Sequence, residues 1–292
     1  MTHPLKRMIE DMQLRHFSPH TQSAYLRAVL RCAAHASVPP QHLTAERARR
    51  YLLYLIRERA ASGSLSNQTR SALQFFFHVT RRRDDSLASL PAARGPRRLP
   101  VVLSKQEVSR FFAAIRSPKQ RAIFMTAYGT GLRVSELVSL RVADIDPDRR
   151  LLHVRCGKGG RPRYVKLSPR LLRVLRHYVR ICRPADWLFP GARPGKPIDR
   201  VTVNRIAERI RRRAGLAKRI SAHTFRHTYA THLLEAGTDL RTIQALLGHS
   251  QIQTTAIYLQ VSDAMIAAAP GLLERLQRHS GRCTTTHPSP QP

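Results

Sequence analysis

Apolar residues along the first third of the chain recur with the spacing of helices that bury one face. Stretches of this kind begin at Ser18-Pro19, a favoured N-cap and N1 pair, at Thr44 and at about Gln68. The third contains the run Phe75–Phe77, and we assign these rings to a core because base-stacking surfaces belong mainly to single-strand binders. Residues 1–84 are therefore predicted to form a small helical bundle.

Periodicity is lost over residues 85–100, where Pro, Gly and Arg mix without a repeat. This segment predicts a basic linker, whose arginines either follow DNA phosphates or stay solvated. Helical spacing returns with a capping-box start at Ser104. A second helix follows, and we expect Gly129 and Gly131 to break it just ahead of Arg133, which would then be held between two helices.

Two short strand-like stretches, starting at Leu151 and at Arg161, predict a β-hairpin. Its turn, Gly157–Gly160, presents Lys158 at the tip. Further helices follow, one of them over about 201–213. The chain as a whole is predicted to be mainly α with a small β-hairpin or sheet, an α+β fold class.

The stretch Ser221–Val261 concentrates polar residues at helix boundaries. Gly237 and Gly248 suit the C-terminal ends of helices, whereas Asp239 and Ser250 suit N-caps. The stretch is therefore predicted to form three short helices joined by tight turns, with polar side chains at the joints.

Charge narrows the choice of partner. The chain has 292 residues with 51 Lys and Arg against 18 Asp and Glu, a formal net charge of +33, so a polyanion, double-stranded DNA, is the expected partner. Codon bias could explain Arg in place of Lys but not the shortage of acids. No apolar run approaches the roughly 20 residues of a membrane span, and the four cysteines form no C-x-x-C pair. A cytoplasmic, nucleoid-associated protein is the expectation.

The polar residues of the C-terminal stretch suit attack on a phosphodiester without a metal. Arg133 and Arg226 can supply guanidinium clamps for the non-bridging oxygens, and His223, three residues before Arg226 on a helix, can donate or shuttle a proton. Tyr258 can supply the nucleophile, once neighbouring cations favour phenolate. The alternative interpretations are that the arginines are solvated and that the tyrosine belongs to the apolar face of a helix.

Three motifs, TGLRVSEL from Thr130, HTFRHTYATHLL from His223 and LLGHSQIQTTAIY from Leu246, resemble the tyrosine recombinase (phage integrase) family, in particular its Xer and integron-integrase members. The resemblance implies an N-terminal core-binding domain over 1–84 and a catalytic domain over 101–278, and the composition of residues 279–292 predicts a disordered tail. The resemblance also implies a site-specific recombinase that cleaves and rejoins DNA through a covalent 3′-phosphotyrosyl intermediate, with no metal and no cofactor.

The family's catalytic set has a counterpart at every position of this sequence. Lys158 would protonate the leaving sugar oxygen, His249 would contact the phosphate or Tyr258, and Glu136 would support the site by hydrogen bonding. His227 is expected to point to another face. The implied catalytic residues are Arg133, Lys158, His223, Arg226, His249 and Tyr258.

DNA contacts are expected from arginines of the hairpin and of the helix near 201–213, namely Arg161, Arg163, Arg205, Arg209 and Arg212. The family also implies a homodimer at each DNA site and a homotetramer in the synapse. The motif AIYLQV around Tyr258 departs from many relatives and leaves the subfamily open, so phage integration, dimer resolution, cassette exchange and transposition all remain possible roles.

Three other functions are weighed beside recombination. The charge alone would suit a non-catalytic DNA-binding protein, and the same chemistry without synapsis would suit a type IB topoisomerase. Asp144, Asp146 and Asp148 in the run DIDPD could hold a metal in a nuclease, although a turn before the strand explains them more simply because the residues that complete a calcium loop are missing.

Overall fold

A computed structural model describes residues 3–82, 99–155, 162–248 and 253–258 of the chain. Its backbone divides into two compact units, Met1–Arg98 and Leu99–Pro292. Within the described ranges, none of the helices combines the length and the apolar character that a membrane span requires.

The first unit is a bundle of helices. Side-chain caps from Ser18, Thr44 and Ser62 start three of them. The helix predicted from about Gln68 therefore begins earlier, because Ser62 accepts the backbone N–H of Leu65. The periodicity did not indicate the first helix. The helices are α1 His3–Leu14, α2 Pro19–His35, α3 Ala45–Arg57 and α4 Gly63–Gln74, with a short 3₁₀ turn at Pro40–His42.

The phenylalanine run lies in the core of this unit, as predicted. It forms a π-helical continuation of α4, Phe75–Thr80, and all three rings are buried. Phe75 contacts Phe17 with ring centroids 5.4 Å apart, and Phe76 meets Phe77 edge-on at 5.6 Å. Rings enclosed in this way are not available to stack on bases.

Three aromatic rings join the helices of the second unit. Phe111 of α5 (Lys105–Ala113) lies 5.2 Å from Phe124 of α6 (Pro118–Thr130) and 4.9 Å from Phe225 of α10 (Ala222–Glu235), measured between ring centroids. The predicted capping box of α5 is present, with Ser104 and Glu107 bonding reciprocally. The helices are α5 Lys105–Ala113, α6 Pro118–Thr130, α7 Val134–Val138, α8 Pro169–Cys182, α9 Arg200–Arg213, α10 Ala222–Glu235, α11 Leu240–Leu247 and α12 Gln253–Ala256.

The helix break ahead of Arg133 is made by Gly131 alone. Gly131 adopts φ 62°, a conformation that glycine enters at little cost, and ends α6. Gly129 stays inside α6, where an added Cβ would lie 3.3 Å from Leu171 of α8. The prediction that Gly129 also breaks the helix is therefore wrong: it allows close packing instead.

The two predicted hairpin strands are present, and a third strand extends them to a three-stranded antiparallel sheet. Its strands are β1 Ile145–Asp146, β2 Leu151–Val154 and β3 Arg163–Lys166, in the order β1-β2-β3. Leu152 pairs with both Ile145 and Val165, so β2 is central. The sequence did not predict β1, and the predicted hairpin turn lies outside the described residues, as does the expected tail over 279–292.

Candidate active site

Arg133 is fixed at the start of α7 by its own helix and by a second one. Its backbone N–H donates to Glu136 Oε2 at 2.9 Å and its Nη1 to Glu136 Oε1 at 2.8 Å. Its Nη2 donates to the carbonyl of Gly248 at 3.0 Å. The guanidinium is thus oriented by two bonds and the backbone by a third, as the position between helices predicted.

Arg226 is buried inside α10, with only 4% of its surface exposed. Its Nη1 donates to the carbonyl of Gly131 at 2.7 Å and its Nη2 to that of Leu247 at 2.8 Å. Burial, and then the nearby Arg133 charge, lower the pKa of Arg226 to about 10, so it remains a cation at neutral pH. A buried cation held by neutral carbonyls retains most of its attraction for an incoming anion.

Glu136 connects Arg133 to Arg163. The carboxylate is 1% exposed, and its two oxygens accept from Nη1 and Nη2 of Arg163, each at 2.9 Å. Burial opposes ionisation, yet hydrogen bonds from Arg163 and from the Arg133 backbone hold the pKa of Glu136 below its ordinary value. Glu136 therefore carries a charge between two arginines.

Three arginines donate hydrogen bonds to the C-terminal end of α11. Successive carbonyls at its C-terminal end, those of Leu246, Leu247 and Gly248, accept from Arg163, Arg226 and Arg133 at 3.2, 2.8 and 3.0 Å. These carbonyls have no partner within the helix, and cations at this end interact favourably with the helix dipole. The backbone at the end of α11, from which the chain continues toward Tyr258, is therefore held by three side chains.

Arg163 was predicted to contact DNA, but its side chain makes its hydrogen bonds within the protein. Its side chain is 13% exposed and donates to Glu136 and to the Leu246 carbonyl. Alternation along β3 explains this, because Arg163 shares a face with the buried Val165 while Tyr164 and Lys166 point to solvent. We therefore assign Arg163 to positioning in place of DNA contact.

Tyr258 lies directly after α12 and is 1% exposed, in an apolar cluster that includes Ala230, Ile243 and Leu247. Its hydroxyl and Nδ1 of His227 share a hydrogen bond at 3.2 Å. Burial raises the pKa of the phenol, and the Arg226 and Arg133 charges act in the opposite direction. Both predicted guanidinium groups are thus close enough to influence the predicted nucleophile.

The imidazole that meets Tyr258 is His227, so the expectation that His227 points to another face is wrong. His223 and His227 are four residues apart on α10, which places them on one side of the helix, and their ring centroids are 6.5 Å apart. Burial, followed by the cations Arg226 and Arg133, lowers the pKa of His223. The four-residue spacing between His223 and His227 was the signal in the sequence that the two imidazoles share one side of the helix.

Both histidines line a cleft of about 780 Å³. Its wall is strongly basic, and the one carboxylate among its lining residues is Glu208, which pairs with Arg211 and Arg212. An anion that enters this cleft would reach the imidazoles. The lining residues are Pro100, Val101, Glu208, Arg211, Arg212, Ala217, Arg219, Ile220, Ser221, His223, Thr224 and His227.

The arginines of α9 that were predicted to contact DNA are exposed. Arg205 and Arg209 point to solvent, and Arg212 is 74% exposed although it also bonds Glu208 at 2.9 Å. These three side chains line a shallow hollow of about 570 Å³ on the same helix. The helix thus offers a basic face to solvent.

Two of the three aspartates of the DIDPD run, Asp144 and Asp146, are engaged by the chain itself. Asp144 is buried, pairs with Arg155 and accepts the backbone N–H of Arg141 at 2.8 Å. Asp146 accepts that of Arg149 at 2.9 Å. Within the described part of the chain no group of three or more His, Cys, Asp or Glu residues could hold a metal, and these carboxylates stabilise turns. Lys158, Arg161 and His249 lie outside the described residues.

Comparison with known proteins decides the family. Residues 101–265 match the model of the phage integrase family, and residues 5–85 match that of the phage integrase N-terminal SAM-like domain. The chain belongs to the phage integrase family. As a tyrosine recombinase, it cleaves and rejoins DNA strands in site-specific recombination through a covalent tyrosine intermediate.

Relatives of this integrase-family chain match along most of their length. A putative integrase/recombinase, y4qK of Sinorhizobium fredii, is 44% identical over 95% of this chain and 91% of its own. The tyrosine recombinase XerA of Thermococcus kodakarensis is 35% identical over 84% and 86%. A crystal structure of the XerH recombinase bound to its palindromic difH substrate shares the fold, with a TM-score of 0.69 and 20% identity over 93% of this chain and 82% of the other.

Proposed function

We propose that this recombinase uses Tyr258 as its nucleophile and Arg133 and Arg226 as the clamp on the scissile phosphate. The observation that carries the proposal is that both guanidinium groups bond adjacent carbonyls at the end of α11, Leu247 and Gly248, while their charges reach the Tyr258 phenol. Two permanent cations are thus held beside the one tyrosine of the C-terminal stretch that the family motif marks.

The clamp suits the charge that develops during phosphoryl transfer. A guanidinium carries five N–H donors, so the two carbonyl bonds of Arg226 leave donors for a non-bridging oxygen. Bonds that orient the group before DNA arrives also remove the cost of orienting it during the reaction. Permanent cations in these positions perform the task that Mg²⁺ performs in metal-dependent enzymes.

The chemical step follows from this placement. The Tyr258 oxygen attacks phosphorus, the bond to the sugar 5′ oxygen breaks, and a 3′-phosphotyrosyl link forms. The departing oxygen takes a proton, for which Lys158 is the proposed donor, while His223 donates to the phosphate. Attack by another 5′ hydroxyl reverses the step, so strands rejoin without an external energy source. His249 is proposed as a further phosphate contact.

DNA binding is proposed to involve both units of the chain. The basic face of α9, with Arg205, Arg209 and Arg212, supports a phosphate-contacting surface in the catalytic unit, and Arg161 is a further proposed contact. Residues 1–84 would act as the core-binding domain, joined by the basic linker 85–100 to the catalytic domain 101–278. Two protomers at each of two sites would form the synaptic tetramer, in the cytoplasm and at the nucleoid.

Covalent capture tests the nucleophile. Nicked duplexes are selected from a randomised library by denaturant-resistant attachment to the wild-type protein, and the winning sequence, the selected duplex, is then offered to variants. Tyr258→Phe should form no adduct, whereas Tyr229→Phe, a change in the same apolar cluster, should form adducts as the wild type does. Adducts with Tyr258→Phe would reject the assignment.

The remaining alternatives differ in what the selected duplex does. A non-catalytic binding protein would retain no DNA after denaturation, and a type IB topoisomerase would relax supercoiled plasmid that carries a single site. A recombinase should exchange strands only between two copies of the site. Strand cleavage should be unchanged in EDTA, and its loss there without a covalent adduct would favour the metal-dependent nuclease.

A further inference from the structure

We propose that His227 is a further catalytic residue of this recombinase, the group that accepts the proton of the Tyr258 hydroxyl as the phenol attacks phosphorus. The proposal rests on the assignment of Tyr258 as nucleophile. His227 is not among the six residues that the family motifs mark, and the hydrogen bond between the two side chains is what singles it out.

The geometry is that of a nucleophile and its base. Nδ1 of His227 lies 3.2 Å from the Tyr258 oxygen, and the ring centroids are 5.7 Å apart with an angle of 55° between the planes. Direct proton transfer needs heavy atoms within about 2.6–3.2 Å. His227 also lines the basic cleft, so the imidazole touches the phenol on one side and the space open to a phosphate on the other.

The surroundings keep this imidazole unprotonated. Burial, then His223 and Arg226 on the same helix, lower the pKa of His227 to about 4. Arg211, Arg212 and Arg219 line the same cleft, and Glu208 is the one acidic residue in its lining. A neutral histidine whose proton is on Nε2 has a lone pair on Nδ1, so it can accept from the phenol.

Arrival of the phosphate would make the transfer easier. A phosphodiester in the cleft brings a negative charge that offsets the arginines, and the proton affinity of His227 then rises toward that of a useful base. The phenol needs such a partner because burial raises its pKa. In the absence of DNA the same pair stays neutral, which limits unwanted reactivity.

The proton balance is complete in both directions. During cleavage the O–H proton of Tyr258 passes to Nδ1 of His227, the Tyr258 oxygen bonds to phosphorus, the bond from phosphorus to the 5′ oxygen breaks, and this oxygen takes a proton from Lys158, its proposed donor. During rejoining the 5′ hydroxyl gives its proton back to Lys158 and attacks, the Tyr258 oxygen leaves, and the imidazolium returns the other proton to it. His223 keeps its separate role toward the phosphate.

Two substitutions separate proton acceptance from simple contact. His227→Asn retains a polar group near the place of Nδ1 but cannot take up a proton, and His227→Phe retains ring volume alone. A matched pair exists on the same helix, where His232 Nδ1 bonds the hydroxyl of Tyr128 at 2.9 Å. His232→Asn therefore serves as the control, because it alters the same kind of bond elsewhere.

The readout is the rate of adduct formation on the selected duplex in a single turnover, measured from pH 6 to 9. We expect His227→Asn and His227→Phe to be slower by about 10²–10⁴-fold at pH 7, the usual contribution of general-base catalysis. Their rates should rise about tenfold per pH unit as hydroxide replaces the lost base, and 3-fluorotyrosine at position 258, a more acidic phenol, should restore part of the rate. His232→Asn should follow the wild type.

Several results would overturn the proposal. One is a wild-type rate in His227→Asn; another is a loss that is equal at every pH and insensitive to fluorotyrosine, which would indicate a structural role. If the variants do not fold, ¹⁵N NMR of the wild-type protein decides, since a proton on Nδ1 of His227 contradicts acceptance and a proton on Nε2 supports it. Absence of any wild-type adduct would instead reject Tyr258 itself.

Discussion

Arg163 and Glu136 form a two-point ion pair in which both carboxylate oxygens accept a guanidinium N–H at 2.9 Å. The same carboxylate also holds Arg133, and the same guanidinium also holds the Leu246 carbonyl. One buried pair therefore connects β3, α7 and the end of α11. If Arg133 contacts the phosphate as proposed, this pair orients a substrate-binding group, and that role can be separated from binding itself.

Glu136→Gln should destabilise the second unit by about 3–5 kcal/mol, because removing one partner leaves Arg163 buried without a counter-charge. Trp187, the single tryptophan of the chain, lies in this unit and reports its unfolding in urea by fluorescence. Glu208→Gln is the control, since Glu208 bonds arginines at the surface, and it should leave the midpoint close to that of the wild type. Equal midpoints for all three proteins would contradict a structural role for the pair.

Stability should also depend on pH through Glu136. Its pKa is lowered in the folded state, so the stabilisation is fully present above the ordinary pKa of a glutamate, about 4.3, and is lost as the pH falls through the lowered value. The difference in unfolding free energy between the wild type and Glu136→Gln should therefore shrink below about pH 4.3. A constant difference from pH 7 to 3 would show that the carboxylate charge is not what stabilises the fold.

Several helix boundaries were predictable because they depend on local chemistry. Ser104, Asp239 and Gly248 each act within one turn of their own position, so their caps appear as the residue types indicate. The arginines of the site were predictable for another reason: the family motif marks them, and Arg133 adjoins a glycine that ends a helix. Neither signal depends on distant parts of the chain.

The parts of the site that escaped prediction depend on contacts between distant segments. Which imidazole meets the phenol is decided by where α12 places Tyr258 against α10, 31 residues earlier in the chain. Strand β1 requires pairing with β2 and has only two residues. The inward orientation of Arg163 could have been inferred from its alternation with Val165, but its partner Glu136, 27 residues away, could not.

DNA affinity should depend on the exposed face of α9. We expect Arg205→Ala and Arg209→Ala each to weaken binding to any duplex and to reduce the slope of log K against log salt by about one for each phosphate that the variant no longer neutralises. Arg173→Ala is the control, because Arg173 is also exposed but lies on α8. Fluorescence anisotropy from 50 to 300 mM salt measures the slopes. Identical slopes for the α9 and α8 variants would mean that α9 is not a preferred phosphate-binding element.

Gly248, at the end of α11, can be compared with Gly237, which precedes α11 and has a similar backbone conformation. Gly248 has φ 62° and Gly237 has φ 84°, so alanine at either position should cost about 1–2 kcal/mol in unfolding free energy. A Cβ at Gly248 would additionally lie 3.2 Å from the Arg163 guanidinium, whereas one at Gly237 would meet nothing within 4 Å. Only Gly248→Ala should therefore disturb the arginines that orient the site.

Adduct formation on the selected duplex distinguishes the general cost of alanine at a positive φ from the specific disturbance of the arginines. We expect Gly248→Ala to be slower by at least about tenfold, since an ångström-scale displacement of a catalytic group costs up to about 10²-fold, and Gly237→Ala to react at the wild-type rate at a temperature where both proteins are folded. If both variants react alike, the contact between Gly248 and Arg163 does not transmit to catalysis. If Gly248→Ala alone is slow while its affinity for duplex is unchanged, the three arginines bonded to the end of α11 act on the chemical step.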